Sequence, residues 1–143
     1  MKQGASGPLF YGRCWWLDIV VCMDYIMSIV AAKRISVVFY RTDMGAEVVR
    51  DWLRDLDERD RQAIGQDLMR VQYRWPVGMP LCRPLGDGLW EVRSSLPSQR
   101  IARLLFCILG EEVVVLSGFI KKTQKTPKDE LALARRRMDE FKS

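Results

Sequence analysis

The side chains of this 143-residue chain that could handle an acidic substrate cluster late in the sequence: Glu91, Arg93, Arg100, Arg103, Lys121, Lys122 and Lys125. Arginine presents a planar, permanently charged fork that fits a phosphate through two hydrogen bonds at once. Lysine can give or take a proton where burial and neighbouring cations lower its pKa. There is no histidine in the chain. That excludes Ser-His-Asp and Cys-His triads, histidine-ligated metal sites and paired-histidine ribonuclease chemistry. Acid–base chemistry must come from Lys, Arg, carboxylates, Tyr or Cys.

The formal charge of +5 and a pI near 9.2 favour acidic partners. Its distribution says more. Between residues 93 and 128, seven cations (Arg93, Arg100, Arg103, Lys121, Lys122, Lys125 and Lys128) meet only Glu111 and Glu112, a local +5 that equals the excess of the whole chain. Such a concentration is the footprint expected for a phosphate backbone. A second explanation stands beside it. Lysines in loops and on edge strands also serve solubility and guard against aggregation, and Arg93 or Arg103 could be held by Glu91 in a structural salt bridge.

These residues need elements to position them, and the pattern supplies an α+β set. Ile35–Tyr40 is β-branched and aromatic, a strand by propensity. From Asp43 the spacing turns helical: Val48, Val49, Trp52, Leu53 and Leu56 form one face, with Glu47/Arg50 and Asp51/Arg54 paired on the other. A second helix from Asp57 or Glu58 carries Ile64, Leu68, Val71 and Trp75, and Pro76 and Gly78 end it. The stretch from Pro76 to Gly88 reads as a loop. Leu89–Ser94, Gln99–Leu109 and Val113–Ile120 read as three strands of an antiparallel meander, with Trp90 and Val92 on one face of the first and Glu91 and Arg93 on the other. Thr126–Phe141 reads as a closing helix with Thr126 as N-cap, Pro127 at its first position and Asp129 in a capping box.

The length fits one domain, with residues 1–26 an extension of doubtful role and Met27 a candidate start for a domain covering 27–143. Residues 9–32 are apolar but contain Arg13, Asp18 and Asp24. A central Asp in a membrane helix costs about 2.5–3.5 kcal/mol on insertion scales, which argues against a spanning segment. Of Cys14, Cys22, Cys82 and Cys107 none forms a C-x-x-C pair, and buried free thiols in a reducing cytoplasm are expected.

The segments GDGLWEVRSSLPSQRIARLLF (residues 86–106) and LSGFIKKTQKTPKDELALARRRMDEF (116–141) resemble the RelE/ParE superfamily of type II toxins, in its HigB-like, phage-derived branch. The shared features are a Gly-Leu-Trp-Glu-Val-Arg strand, an arginine within an apolar strand, a Gly-Phe-x-Lys-Lys strand end and a Lys-Thr-Pro helix start. In element order the likeness runs from about Ile35 to Phe141. It implies a RelE-like fold: an N-terminal strand and two-helix hairpin packed on an antiparallel β-meander, with a C-terminal helix.

The resemblance also implies a cytoplasmic, ribosome-dependent mRNA endonuclease held inactive by a cognate helix-turn-helix antitoxin, with no metal, cofactor or membrane involved. By position it assigns Arg93 and Arg103 to phosphate binding and Lys121 or Lys122 to proton transfer, with Arg100, Lys125, Glu91 and Phe119 as substrate-contacting neighbours. Glu91 would act as a base or orient an arginine. Two departures stand out: Ser117 occupies the place where many relatives carry histidine, and the last tyrosine is Tyr73. The alternatives with the same fold are a ParE-like DNA gyrase inhibitor without nuclease activity and a catalytically degenerate binding module.

Overall fold

The structure, a computed structural model, describes residues 35–143. The expectations for residues 1–26, for Met27 as a start, for the apolar stretch 9–32 and for Cys14 and Cys22 fall outside the described residues. The elements in chain order are β1 (Ser36–Phe39), α1 (Val48–Asp55), α2 (Glu58–Arg74), β2 (Cys82–Gly86), β3 (Leu89–Ser95), β4 (Ile101–Leu109), β5 (Glu112–Ile120) and α3 (Lys128–Lys142). The α+β class and the RelE-like element order hold. Among the described residues no helix is long and apolar enough to cross a membrane.

The strands form one sheet in the order β1-β5-β4-β3-β2. The β2-β3-β4-β5 part is the antiparallel meander, and β1 closes it by pairing parallel to β5, Ser36 opposite Glu112 and Phe39 opposite Val115. One sheet face carries Val92, Leu104, Phe106, Val113 and Val115, all fully buried against Val49 and Leu53 of α1 and Ile64, Leu68 and Val71 of α2. The other carries Leu89, Leu105, Cys107, Val114 and Leu116, covered by Ala134 and Met138 of α3. Trp75 meets Trp90 edge-on at 4.9 Å and Phe106 at 5.6 Å, closing the base of α2 on the sheet. Each such aromatic pair adds about 0.5–1.5 kcal/mol beyond its buried area.

Three details differ from expectation. Cys82–Gly86 is a strand, not a loop; Pro84 hides it from a pattern search, yet an edge strand tolerates proline because its outer side needs no ladder donor. α1 begins at Val48 rather than near Asp43, because Thr42–Ala46 closes a turn with Gly45 at φ +84°. α3 begins at Lys128 with Pro127 at its N-cap and no side-chain cap bond. The capping box is absent because the Thr126 hydroxyl is engaged elsewhere, as described below. Cys82 and Cys107 are buried free thiols, and burial pushes the Cys82 thiol up to about 11.

A bulge in β5 decides how α3 docks. Leu105 faces Ser117 and Phe106 faces Val115, so Leu116 is the extra residue. Leu116 packs in the α3-side cluster while its carbonyl accepts a 2.7 Å hydrogen bond from Arg137 Nη1. Ser117 Oγ donates to Glu130 Oε2 at 2.6 Å. Tyr40 donates its hydroxyl proton to Glu140, which raises the Tyr40 pKa, and the Arg137 guanidinium lies 5.1 Å from the Tyr40 ring centroid. On the opposite side, a Cβ placed on Gly118 would lie 2.7 Å from Trp52 Cζ3 and 3.3 Å from Val49 Cγ1. The Trp52 ring therefore needs glycine beneath it. Gly118→Ala is expected to destabilise the fold by about 1–3 kcal/mol, read as a lower denaturant midpoint with an unchanged slope.

Candidate nucleic-acid interface

Alternation along β3, β4 and β5 places the candidate residues in rows on the α3 face of the sheet. Glu91, Leu105 and Ser117 form one row, and Arg93, Arg103 and Phe119 the next. Ser95 opposite Ile101 begins a third, continued by Lys121, whose backbone N–H donates to the Ile101 carbonyl at 2.7 Å. α3 is anchored over the first row through Glu130 and Ser117. The second and third rows hold Arg93, Ile101, Phe119 and Lys121, each half-buried, and an exposed Ser95.

Arg103 is the exception within this group. Its side chain is 2% exposed and its Nε lies 3.4 Å from Glu91 Oε1, while Glu91 is 0% exposed. Arg103 Nη1 donates to Thr126 Oγ1 at 3.1 Å and Nη2 to the Gln124 carbonyl at 2.8 Å. Thr126 in turn donates its hydroxyl proton to Glu91 Oε2. The structural salt bridge is thus the arrangement observed, and it is Arg103, not Arg93, that Glu91 holds. In this arrangement neither Arg103 nor Glu91 can touch a phosphate or a ribose hydroxyl. What Arg103 does instead is grip the segment between β5 and α3 from beneath. That segment carries Lys121, Lys122 and Lys125, and Thr123 tightens it by donating to the Lys125 carbonyl at 2.8 Å.

The other expected residues separate clearly. Arg100 lies on the α2 side, where its Nη2 donates to Asp60 Oδ2 at 3.1 Å. Asp60 also accepts from the Ser98 hydroxyl at 2.8 Å and the Ser98 backbone N–H at 3.2 Å. The Ser98 hydroxyl is the main cause of a lowered Asp60 pKa, with burial opposing it and Arg100 assisting. With Arg100 and Arg103 engaged, Arg93, Lys121, Lys122, Lys125 and Lys128 remain without an ion pair or side-chain hydrogen bond among the described residues. Phe119 lies in the same row as Arg93, two strands away. Two strand spacings separate β3 from β5 by roughly 10 Å, within the combined reach of an arginine and a lysine closing on one phosphate above β4. Ser117, in place of the expected histidine, is 3% exposed and bound to Glu130, so it belongs to helix docking.

Thr126 is the residue whose role the sequence did not reveal. Its place before a proline signals a helix cap, and nothing local shows that its hydroxyl faces a buried carboxylate 35 positions earlier. Among the described residues no group of three His, Cys, Asp or Glu side chains is arranged to hold a metal ion.

Residues 51–139, well over half of the chain, match the family described as "Phage derived protein Gp49-like (DUF891)". The chain belongs to the Gp49-like family. This is a RelE-like, toxin-type family associated with toxin–antitoxin systems. The Gp49-like chain also shows 29% identity over 86 residues to caveolin-3 of Sus scrofa, covering 56% of this chain. It spans 57% of the length of that relative.

Two outcomes follow for this Gp49-like site. Arg103→Ala leaves Glu91 buried without its partner and is expected to cost about 3–5 kcal/mol of stability, whereas Arg93→Ala should stay within about 0.5 kcal/mol. Urea melts of the two variants check this. The lowered Asp60 pKa contributes stability that is fully present above its unfolded value of about 4 and is lost as the pH falls through the folded value. Ser98→Ala should therefore flatten the acid side of the thermal-midpoint profile, measured from pH 6 to pH 2.

Proposed function

We propose that this chain is the toxin of a type II toxin–antitoxin system and acts as a ribosome-dependent, metal-independent mRNA endonuclease. The observation that carries the reading is the set of uncompensated cations, Arg93, Lys121, Lys122 and Lys125, around one open end of the sheet, where Phe119 offers an aromatic surface. Family membership supports the toxin class, and the local cation excess suits an RNA backbone.

In the proposed reaction the ribose 2′-oxygen attacks the adjacent phosphorus and loses its proton to a base. The P–O5′ bond breaks, the 5′-oxygen takes up a proton, and the products are a 2′,3′-cyclic phosphate and a 5′-hydroxyl. Arg93 would hold the phosphate through its guanidinium fork and offset the charge that builds on it. Lys121 or Lys122 would move the protons. Arg103 and Glu91, expected from the resemblance to act directly, are proposed here as the support that sets the height and direction of the lysine segment. A cognate helix-turn-helix antitoxin would silence the toxin in the cytoplasm by covering the same cations.

The burial of Arg103 favours a second reading, a gyrase-inhibiting or purely binding relative that shares the fold and cleaves nothing. Mapping mRNA 5′ ends on translating ribosomes after induction separates the two. Codon-phased cleavage reduced by about 10²-fold in Arg93→Ala, with the thermal midpoint unchanged, is the expected result. Intact mRNA accompanied by altered DNA supercoiling would establish the second reading instead.

A further inference from the structure

Arg93 belongs to a second feature besides the basic platform. The pairing of β2 with β3 reaches Cys82 opposite Val92, and the Arg93 N–H then donates to the Leu81 carbonyl at 2.9 Å. Past that point Ser94 and Ser95 have strand partners only on β4. A cleft of about 500 Å³ occupies the place β2 has left, between this edge and α2. That volume lies inside the range of about 300–1,000 Å³ typical of small-ligand sites.

The lining is unusually well matched to one kind of ligand. Leu96 N–H points inward to the Arg100 carbonyl and Arg93 N–H outward to Leu81, so alternation turns the Ser95 N–H and C=O outward, into the cleft. A backbone donor and acceptor side by side on a sheet edge present the complement of a nucleobase edge. Gln66 on α2 adds a side-chain amide carrying both functions, and Leu81 and Ile101 supply apolar walls for the faces of a ring. Two guanidinium groups reach the cleft, Arg93 from the platform side and Arg70 from α2. Asp67, the acid among them, is already paired with Arg70 at 2.9 Å and accepts a hydrogen bond from the Ser94 hydroxyl at 2.6 Å. An anionic ligand therefore meets positive charge and no free carboxylate.

From these groups we infer that the cleft between α2 and the free edge of β3 binds one unstacked ribonucleotide, its base on the Ser95 backbone and Gln66 and its phosphate on Arg93. The inference rests on the RNA reading above and extends it, because Arg93 then sits at the junction of a backbone-binding platform and a base-reading pocket. Phosphate contacts position a strand, and base contacts select it.

The test titrates the 15N-labelled full chain with each of the four 5′-ribonucleoside monophosphates and with inorganic phosphate. At least one nucleotide is expected to shift the Ser95 backbone amide and the Gln66 side-chain amide, while phosphate leaves both unmoved. Gln66→Ala, an exposed helix position, should weaken the preferred nucleotide about tenfold with no change in thermal midpoint. Equal shifts with inorganic phosphate, no shift at Ser95, or unchanged affinity in Gln66→Ala would each overturn the inference. Binding of a single-stranded RNA, measured against salt in the wild type and in Lys122→Ala, reports on the broader reading separately. RNA bound through Lys122 beside a silent Ser95 removes the pocket alone, and absence of salt-sensitive RNA binding removes the toxin's proposed substrate.

Discussion

A charged pair placed in the middle of a sheet governs the organisation of this molecule. Glu91 and Arg103 sit on adjacent strands, almost wholly out of water, and each would be costly to bury alone. Their own contact is loose at 3.4 Å, and Arg103 Nε and Glu91 Oε1 form no hydrogen bond. The remaining hydrogen-bonding capacity is met by Thr126 and the Gln124 carbonyl, both from the segment that leads into α3. Satisfying the pair thus requires that segment to lie across the sheet at one height. The buried charges stabilise the fold little by themselves, but they leave the lysine-bearing segment few other ways to lie.

The two faces of the sheet divide their duties. The face under α1 and α2 is a continuous apolar core with Phe106 locked between strands and helices. The α3 face is apolar only as far as the helix reaches, and polar anchors at Glu130, Arg137 and Glu140 determine how far that is. Rows beyond the anchors keep long basic side chains, half-buried along their stems with charged heads toward water. An exposed cationic surface therefore results from where one helix stops. Arg93, which faces Arg103 directly across the strands, makes no ion pair among the described residues and stays available.

Much of this was legible in the residues. The alternation of LWEVRS put Glu91 and Arg93 on one face, and the spacing of Ile64, Leu68 and Val71 identified the buried stripe of α2. The i,i+3 pairs Glu47/Arg50 and Asp51/Arg54 form as expected. β2 was hidden by Pro84, since edge position is a property of the whole sheet. The site was only half legible for a similar reason. Counting cations along the chain treats Arg93 and Arg103 alike, and only the third dimension assigns Glu91 to one of them. Thr126 shows the same limit, because a hydroxyl before Pro127 satisfies the cap pattern whether or not a carboxylate waits across the sheet.

The parallel pairing of β1 with β5 carries a consequence for the birth of the protein. β1 precedes α1, α2 and the meander, and its ladder partners Glu112–Val115 follow only after all of these except β5 itself have been made. α1 and α2 likewise emerge before β4 and β5, the strands that supply most of their apolar floor. Contacts so distant along the chain form slowly, because loop closure must precede any gain from burial. A growing chain accordingly can pair β2, β3 and β4 first, but cannot dock β1 until β5 has been made. The basic surface is completed only when β5, which leads into Lys121 and Lys122, is laid between β1 and β4.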